Sequence, residues 1–121
     1  MSDKRSRSEK IAALNDALRK DLFGGFGRVV CTSGVNAKGA TFVTRALTAV
    51  MAFDTFTGDN DPHGEHDFGA FDLDDERLFW KIDYYDLAMQ FGSEDPADPK
   101  NTLRVLTVML SRGVLKWRKL I

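Results

Sequence analysis

Apolar side chains recur along this chain at two spacings, and the change from one to the other marks out its elements. Ile11, Leu14, Leu18 and Leu22 fall at i, i+3, i+7 and i+11, which lines one face of an α-helix. Ser6 and Glu9 stand ahead of this stripe in capping-box spacing, so the helix starts there, and the Gly24-Gly25 pair ends it. The short β-branched run Arg28 to Thr32, bounded by Gly27 and Gly34, reads as a buried strand, and Gly34 to Gly39 reads as a loop. From Ala40 to Phe53, Val43, Leu47, Val50 and Met51 return to helical spacing with Arg45 off the stripe.

After Phe56 the pattern breaks into a loop rich in Gly, Asp, Asn and Pro, the residues that set turns. Two strands follow, joined by a turn over Leu73 to Arg77. In the second, strict alternation puts Leu78, Trp80, Ile82 and Tyr84 on the core face and Lys81 and Asp83 on the other. The prolines of Glu94-Asp95-Pro96-Ala97-Asp98-Pro99 hold that segment extended. Asp98 as N-cap and Pro99 as first helical residue then predict a third helix to about Arg112, burying Leu103, Leu106 and Leu110 and stopping at Gly113, although Val105, Thr107 and Val108 favour a strand. The expected fold is a single small α+β domain in the order α-β-α-β-β-α, with helices packed on a small sheet that contains a β-hairpin. Its expected limits are residues 6–112, after a flexible leader over 1–5 and before a basic tail over 113–121.

Composition narrows the class. A chain of 121 residues with 43% hydrophobic side chains can bury one ordinary core without staples. The lone Cys31 has no partner for an internal disulfide and sits in an apolar run as a buried thiol, which suits a reducing compartment. No apolar stretch is long enough to span a membrane and the N-terminus is polar, so the expected location is the cytoplasm. The net charge of −1 hides a segregation. Residues 1–53 carry nine Lys/Arg against four Asp/Glu, residues 54–98 carry two against fourteen, and residues 99–121 carry six against none. Either the basic flanks neutralise the acidic middle within the fold, or a cationic partner does.

The acidic middle also holds both histidines, and it fits no established template. Asp59, Asp61, His63 and Gly64 occupy positions one, three, five and six of a calcium loop, but position twelve, which needs a bidentate Glu, is Ala70. His63 and His66, with Glu65 and Asp67, supply ligand types for a divalent metal, yet neighbours on an extended chain point to opposite faces, so no cofactor is expected. A restriction-type nuclease would need an acid two residues before Lys81, where Phe79 stands. General acid and base chemistry has candidates in Glu65, His66 and Asp83, because such pairs shift one another's pKa. Trp80, Tyr84 and Tyr85 would need a cationic surround to act as a nucleic-acid stacking platform, and theirs is acidic; Tyr85 is the one expected at the surface. The basic tail alone is suited to nucleic acid or an acidic membrane surface.

The stretches Asn60-Asp61-Pro62-His63-Gly64-Glu65-His66-Asp67-Phe68-Gly69 and Trp80-Lys81-Ile82-Asp83-Tyr84-Tyr85-Asp86 resemble a family of small bacterial proteins known only as a domain of unknown function. The likeness continues through Phe53-Asp54-Thr55-Phe56, Asp95-Pro96-Ala97-Asp98-Pro99 and Arg104-Val105-Leu106-Thr107, about residues 10 to 110. It implies a stand-alone cytoplasmic protein, in some members a plasmid-borne or other mobile one, and carries no activity or catalytic residue. His63 departs from the family's usual Tyr, and the tail is not part of the pattern.

Two functional readings remain open. The first is a non-enzymatic binding or adaptor module that meets a basic protein through Asp59, Asn60, Asp61, Glu65, His66, Asp67, Asp74, Asp75, Glu76, Lys81 and Tyr85. In a mobile-element setting this includes interference with a host defence or nucleic-acid-handling protein. The second is a small hydrolase or nuclease, metal-assisted or not, built on Glu65, His66, Asp67 and Asp83.

Overall fold

A computed structural model describes residues 4 to 113. Val114 to Ile121 of the predicted basic tail and the first three residues of the predicted leader lie outside the described residues. Helix α1 (Arg7–Lys20) opens with the expected capping box: Ser6 Oγ accepts from Glu9 N, and Glu9 Oε1 accepts from Ser6 N. Strand β1 (Arg28–Cys31), a single helical turn α2 (Ser33–Asn36) and helix α3 (Ala40–Ala52) follow. Strands β2 (Phe68–Leu73) and β3 (Glu76–Tyr85) form the hairpin, and β4 (Leu103–Leu110) with a 3₁₀ turn (Ser111–Gly113) closes the described chain. The four strands make one sheet in the order β1-β4-β3-β2, with β1 parallel to β4 and the other pairs antiparallel.

The fold is α+β, but its last large element is a strand where helical spacing predicted a helix. β4 lies between β1 and β3, so it is apolar on both faces, and its burial runs through Arg104, Val105, Leu106, Val108, Met109 and Leu110. A run apolar on both sides contains helical and alternating spacings at once, and the β-branched Val105, Thr107 and Val108 decide between them. Asp98, expected as a helix cap, braces a turn instead, accepting from Lys100 N at 2.9 Å and Asn101 Nδ2 at 2.6 Å. The segment expected as a Gly34 to Gly39 loop begins inside α2 and is a loop only after Asn36. The hairpin turn is tighter than expected, since Asp74 and Asp75 alone form it at φ 50° and 63°. Positive φ at both central residues suits the strand twist of a two-residue hairpin.

The alternation in β3 is observed. Leu78, Trp80 and Ile82 are buried beneath the helices and Tyr84 is half-buried on the same side, while Lys81 and Asp83 face away. The core gathers Leu18, Leu22, Val35, Phe42, Ala46 and Val50 against Leu78, Trp80, Ile82, Leu106, Val108 and Leu110. α3 is turned slightly from the predicted stripe, with Phe42, Ala46 and Val50 at its centre and Val43, Leu47 and Met51 at the margin. Trp80 anchors the core, packing edge-on to Phe53 and Phe56 at 5.5 and 6.2 Å between ring centroids.

Gly69 pairs with Trp80 across the hairpin, and a Cβ there would overlap the indole ring and the Phe53 ring. Gly69→Ala is therefore expected to destabilise by about 1 to 3 kcal/mol through overpacking. Chemical denaturation measures it, and a variant as stable as the parent would refute the close approach.

Candidate functional site

Three of the predicted residues, Glu65, His66 and Asp67, come together where the loop after α3 passes over α1 and the end of β3. What holds Glu65 and His66 is a polar network that α1 contributes with Asn15 and Asp16, while Asp67 is fixed through its backbone, accepting from Ile82 N at 2.8 Å. Asn15 and Arg19, on adjacent turns with Ile11 and Leu18, are both buried. Asn15 Nδ2 donates to Glu65 O at 2.9 Å and to the Tyr84 hydroxyl at 2.8 Å, and the Tyr84 hydroxyl donates to Glu65 Oε1 at 2.8 Å. Arg104 Nε donates to Asn15 Oδ1 at 2.8 Å, its NH2 donates to the Pro96 carbonyl, and its guanidinium lies over the Tyr84 ring. Buried polar groups need such partners, because each one left unmet costs about 1 to 3 kcal/mol.

His66 is fixed by a second arm of the network. Its Nδ1 lies 3.0 and 3.1 Å from the two Asp16 carboxylate oxygens, and its Nε2 lies 3.5 Å from Asp61 Oδ2. Its backbone N–H donates to Asp61 Oδ1 at 3.0 Å, and its ring stacks on Phe56 with centroids 4.0 Å apart. The backbone here has φ 54°, a conformation that Asp61, Asp16 and Phe56 together enforce. Asp16 also accepts from Arg19 NH2 at 3.1 Å, which ties this arm to the buried guanidinium. Nearer the loop's start, Asn60 Oδ1 accepts from Thr57 N and Asn60 Nδ2 donates to Thr55 O, both at 2.8 Å. Asn60 and Asp61 therefore shape the loop, whereas Asp59 and His63 are exposed.

Burial sets the protonation chemistry of this cluster. Desolvation raises the Tyr84 phenol above its ordinary value, and lowers the Arg104 guanidinium from its own. Desolvation, and next the charge of Glu65, push the Asp67 carboxyl up from 3.8. A carboxyl whose folded pKa exceeds its unfolded one destabilises as an anion. That cost is present at neutral pH and disappears as pH falls through the folded pKa to below the unfolded one. Asp67→Asn is thus expected to raise the melting temperature at pH 7 and to leave it unchanged below the ordinary carboxyl value of 3.8. An equal change at both pH values would show that ionisation is not the cause.

The other predicted residues lie elsewhere. Asp83 is on the opposite face of the sheet, paired with Lys81 at 2.8 Å, and with Tyr85, Thr107 and Met109 it lines a hollow of about 560 Å³. The second strand face thus separates Asp83 from Glu65, His66 and Asp67. At the hairpin turn Asp74 meets Arg45 at 2.6 Å, and Glu76 meets Lys38 at 2.8 Å and Arg112 at 3.2 Å. The Lys38 ammonium holds the Glu76 carboxyl below its usual range. Asp75 is exposed. Cations from both flanks therefore do reach the acidic middle, as one of the two charge readings required. Among the described residues, no three His, Cys, Asp or Glu side chains are placed to hold a metal ion. No described helix is long and apolar enough to cross a membrane.

Asn15, Asp16, Arg19 and Arg104 were not among the sequence candidates. For Asn15, Arg19 and Arg104 the signal was a polar residue inside an otherwise apolar stripe or run, which costs stability unless the fold supplies a partner, whereas Asp16 lies off the buried face of α1. No curated protein and no solved structure matches the chain. A family described as Protein of unknown function (DUF3768) matches residues 31–113, which include the HDFG loop end, the whole hairpin and β4. The chain belongs to this family of unknown function.

Proposed function

We propose that the protein is a non-enzymatic binding module whose acidic surface meets a basic protein partner. The observation that carries this reading is the division of the candidate catalytic groups. Glu65 and His66 are engaged in bracing the loop against α1, and Asp83 is salt-bridged on the other side of the sheet. Catalysis needs its groups converging on one reacting atom, whereas binding needs charge spread over accessible surface. Asp54, Asp59, Asp72, Asp74, Asp75, Glu94 and Asp95 are all exposed, on the loop, the hairpin and the segment before β4. Their pairs with Arg45, Arg77 and Arg7 are solvent-exposed ones, of the kind worth about 0 to 1 kcal/mol, so a cationic partner can replace them.

Affinity capture from the native host tests the reading. The captured partner is expected to be basic and to be released as salt rises, because exposed charges are screened over about 8 Å at physiological ionic strength. Neutralising Asp59, Asp74, Asp75 and Glu94 together is expected to abolish capture. A partner held equally at low and high salt would sink the proposal.

A further inference from the structure

Of the described large apolar residues that remain exposed, all but Val30 gather near one end of the sheet. β1 runs parallel and β3 antiparallel to β4, so the segment entering β1 and the segment leaving β3 emerge at that same end. The first presents Phe23 and Phe26, at 83% and 53% exposure, and the second presents Leu87 and Phe91, at 64% and 73%. Arg28 NH1 and Met89 Sδ, 3.2 Å apart, join the two segments.

This exposure is built rather than incidental. The loop after β3 is closed on itself: Asp86 N donates to Phe91 O at 2.8 Å, Met89 N to Asp86 O at 3.0 Å, and Gln90 N to Asp86 Oδ1 at 3.0 Å. Tyr85 bridges Gly92 at its base, and Met89 adopts φ 56° within it. A loop fixed in this way keeps Leu87 and Phe91 in solvent when a looser one would let them fold back, and such pre-organisation lowers the cost of binding. Beside them is a hollow of about 410 Å³ lined by Asp86, Leu87, Phe91, Glu94, Asp95 and Asn101.

The charge around the hollow selects its occupant. From Ile82 to Pro99 the chain carries Asp83, Asp86, Glu94, Asp95 and Asp98 and no Lys or Arg. Arg7 reaches Asp95 at 3.2 Å, but in an exposed pair. We infer that this end of the sheet is the docking surface, and that its ligand is a segment of the partner protein in which Lys or Arg residues alternate with large apolar ones. The apolar side chains pack on Phe23, Phe26, Leu87 and Phe91. The cationic side chains lay their aliphatic stems over Phe91 and place their charges among Asp86, Glu94 and Asp95. The inference rests on the basic-partner reading and gives that reading a location and a ligand chemistry.

The test uses the full chain and three labelled ten-residue peptides, alternating lysine with leucine, lysine with serine, and glutamate with leucine, followed by fluorescence anisotropy at physiological salt. The lysine–leucine peptide is expected to bind best. Phe91→Ser with Leu87→Ser, and separately Asp86→Asn with Glu94→Gln, are expected to weaken it by about tenfold or more, the size of losing one central anchor. Asp74→Ser with Asp75→Ser at the hairpin is expected to leave it unchanged. Phe91 and Leu87 are exposed, so an unaltered melting temperature verifies that their variant is folded. If the lysine–serine peptide binds as well as lysine–leucine, or if only the hairpin variant weakens binding, this docking surface is overturned while the basic-partner reading stands. A lysine–leucine peptide that binds no better than glutamate–leucine overturns both.

Discussion

Replacing Trp80 with alanine is expected to cost about 3 to 5 kcal/mol, a large share of the 5 to 15 kcal/mol that holds a typical domain together. Trp80 is fully buried at the centre of β3, and its ring is the surface on which Phe53 and Phe56 pack edge-on. The loss therefore extends past one side chain. Phe56 is the platform for His66, so the cavity also loosens the polar loop above it. Urea denaturation gives the magnitude. A variant within about 1 kcal/mol of the parent would mean that the core collapses around the gap, contrary to the spread expected for rigid sites.

Arg19 is expected to be nearly as costly, about 3 kcal/mol or more for Arg19→Met, which keeps the volume and removes the donors. The guanidinium is buried at the carboxyl end of α3, where NH1 donates to Phe53 O at 2.5 Å and reaches Val50 O and Met51 O at 3.3 and 3.4 Å. Val50 O already accepts from the cap residue's own Phe53 N at 3.2 Å, so the guanidinium adds donors where the helix end is short of them, and a cation at the end of a helix dipole is also favourable there. The same group binds Asp16 and lies over the Phe56 and Trp80 rings. Arg19→Lys separates charge from geometry. It is expected to recover part of the loss, because an ammonium cannot serve the helix end and Asp16 in the same planar fork. Full recovery would assign the whole effect to charge.

Most of the architecture was legible because local patterns decide it. The capping box at Ser6 and Glu9 fixes the start of α1 from adjacent residues alone, and the alternation from Leu78 to Tyr84 fixes which face of β3 is buried. β4 was not legible by spacing, since a strand buried on both sides shows every apolar periodicity at once. The candidate site was half legible. Glu65, His66 and Asp67 stand out by density of chemistry, but their partners Asn15, Asp16 and Tyr84 come from distant parts of the chain, and only folding reveals them. Asp83 lies apart from the other three candidates. It shares a sequence motif with Tyr84, yet the two-residue period of a strand sends neighbours to opposite faces, so a compact motif is divided between two surfaces.

The placing of β4 between β1 and β3 also governs when the molecule can fold. Val29 has its sheet neighbour in Leu106, and Lys81 has Thr107, so both halves of the sheet depend on a strand that leaves the ribosome after every other one described. The β2–β3 hairpin can form by itself around its tight Asp74-Asp75 turn, because its contacts are near in sequence. β1, by contrast, has no hydrogen-bonding neighbour until β4 is made, and Leu18, Val50 and Trp80 lack the Leu106 and Val108 surface that completes their burial. During synthesis the chain therefore passes through a long interval with an unpaired strand and an open core, the condition in which nascent chains depend on holding factors.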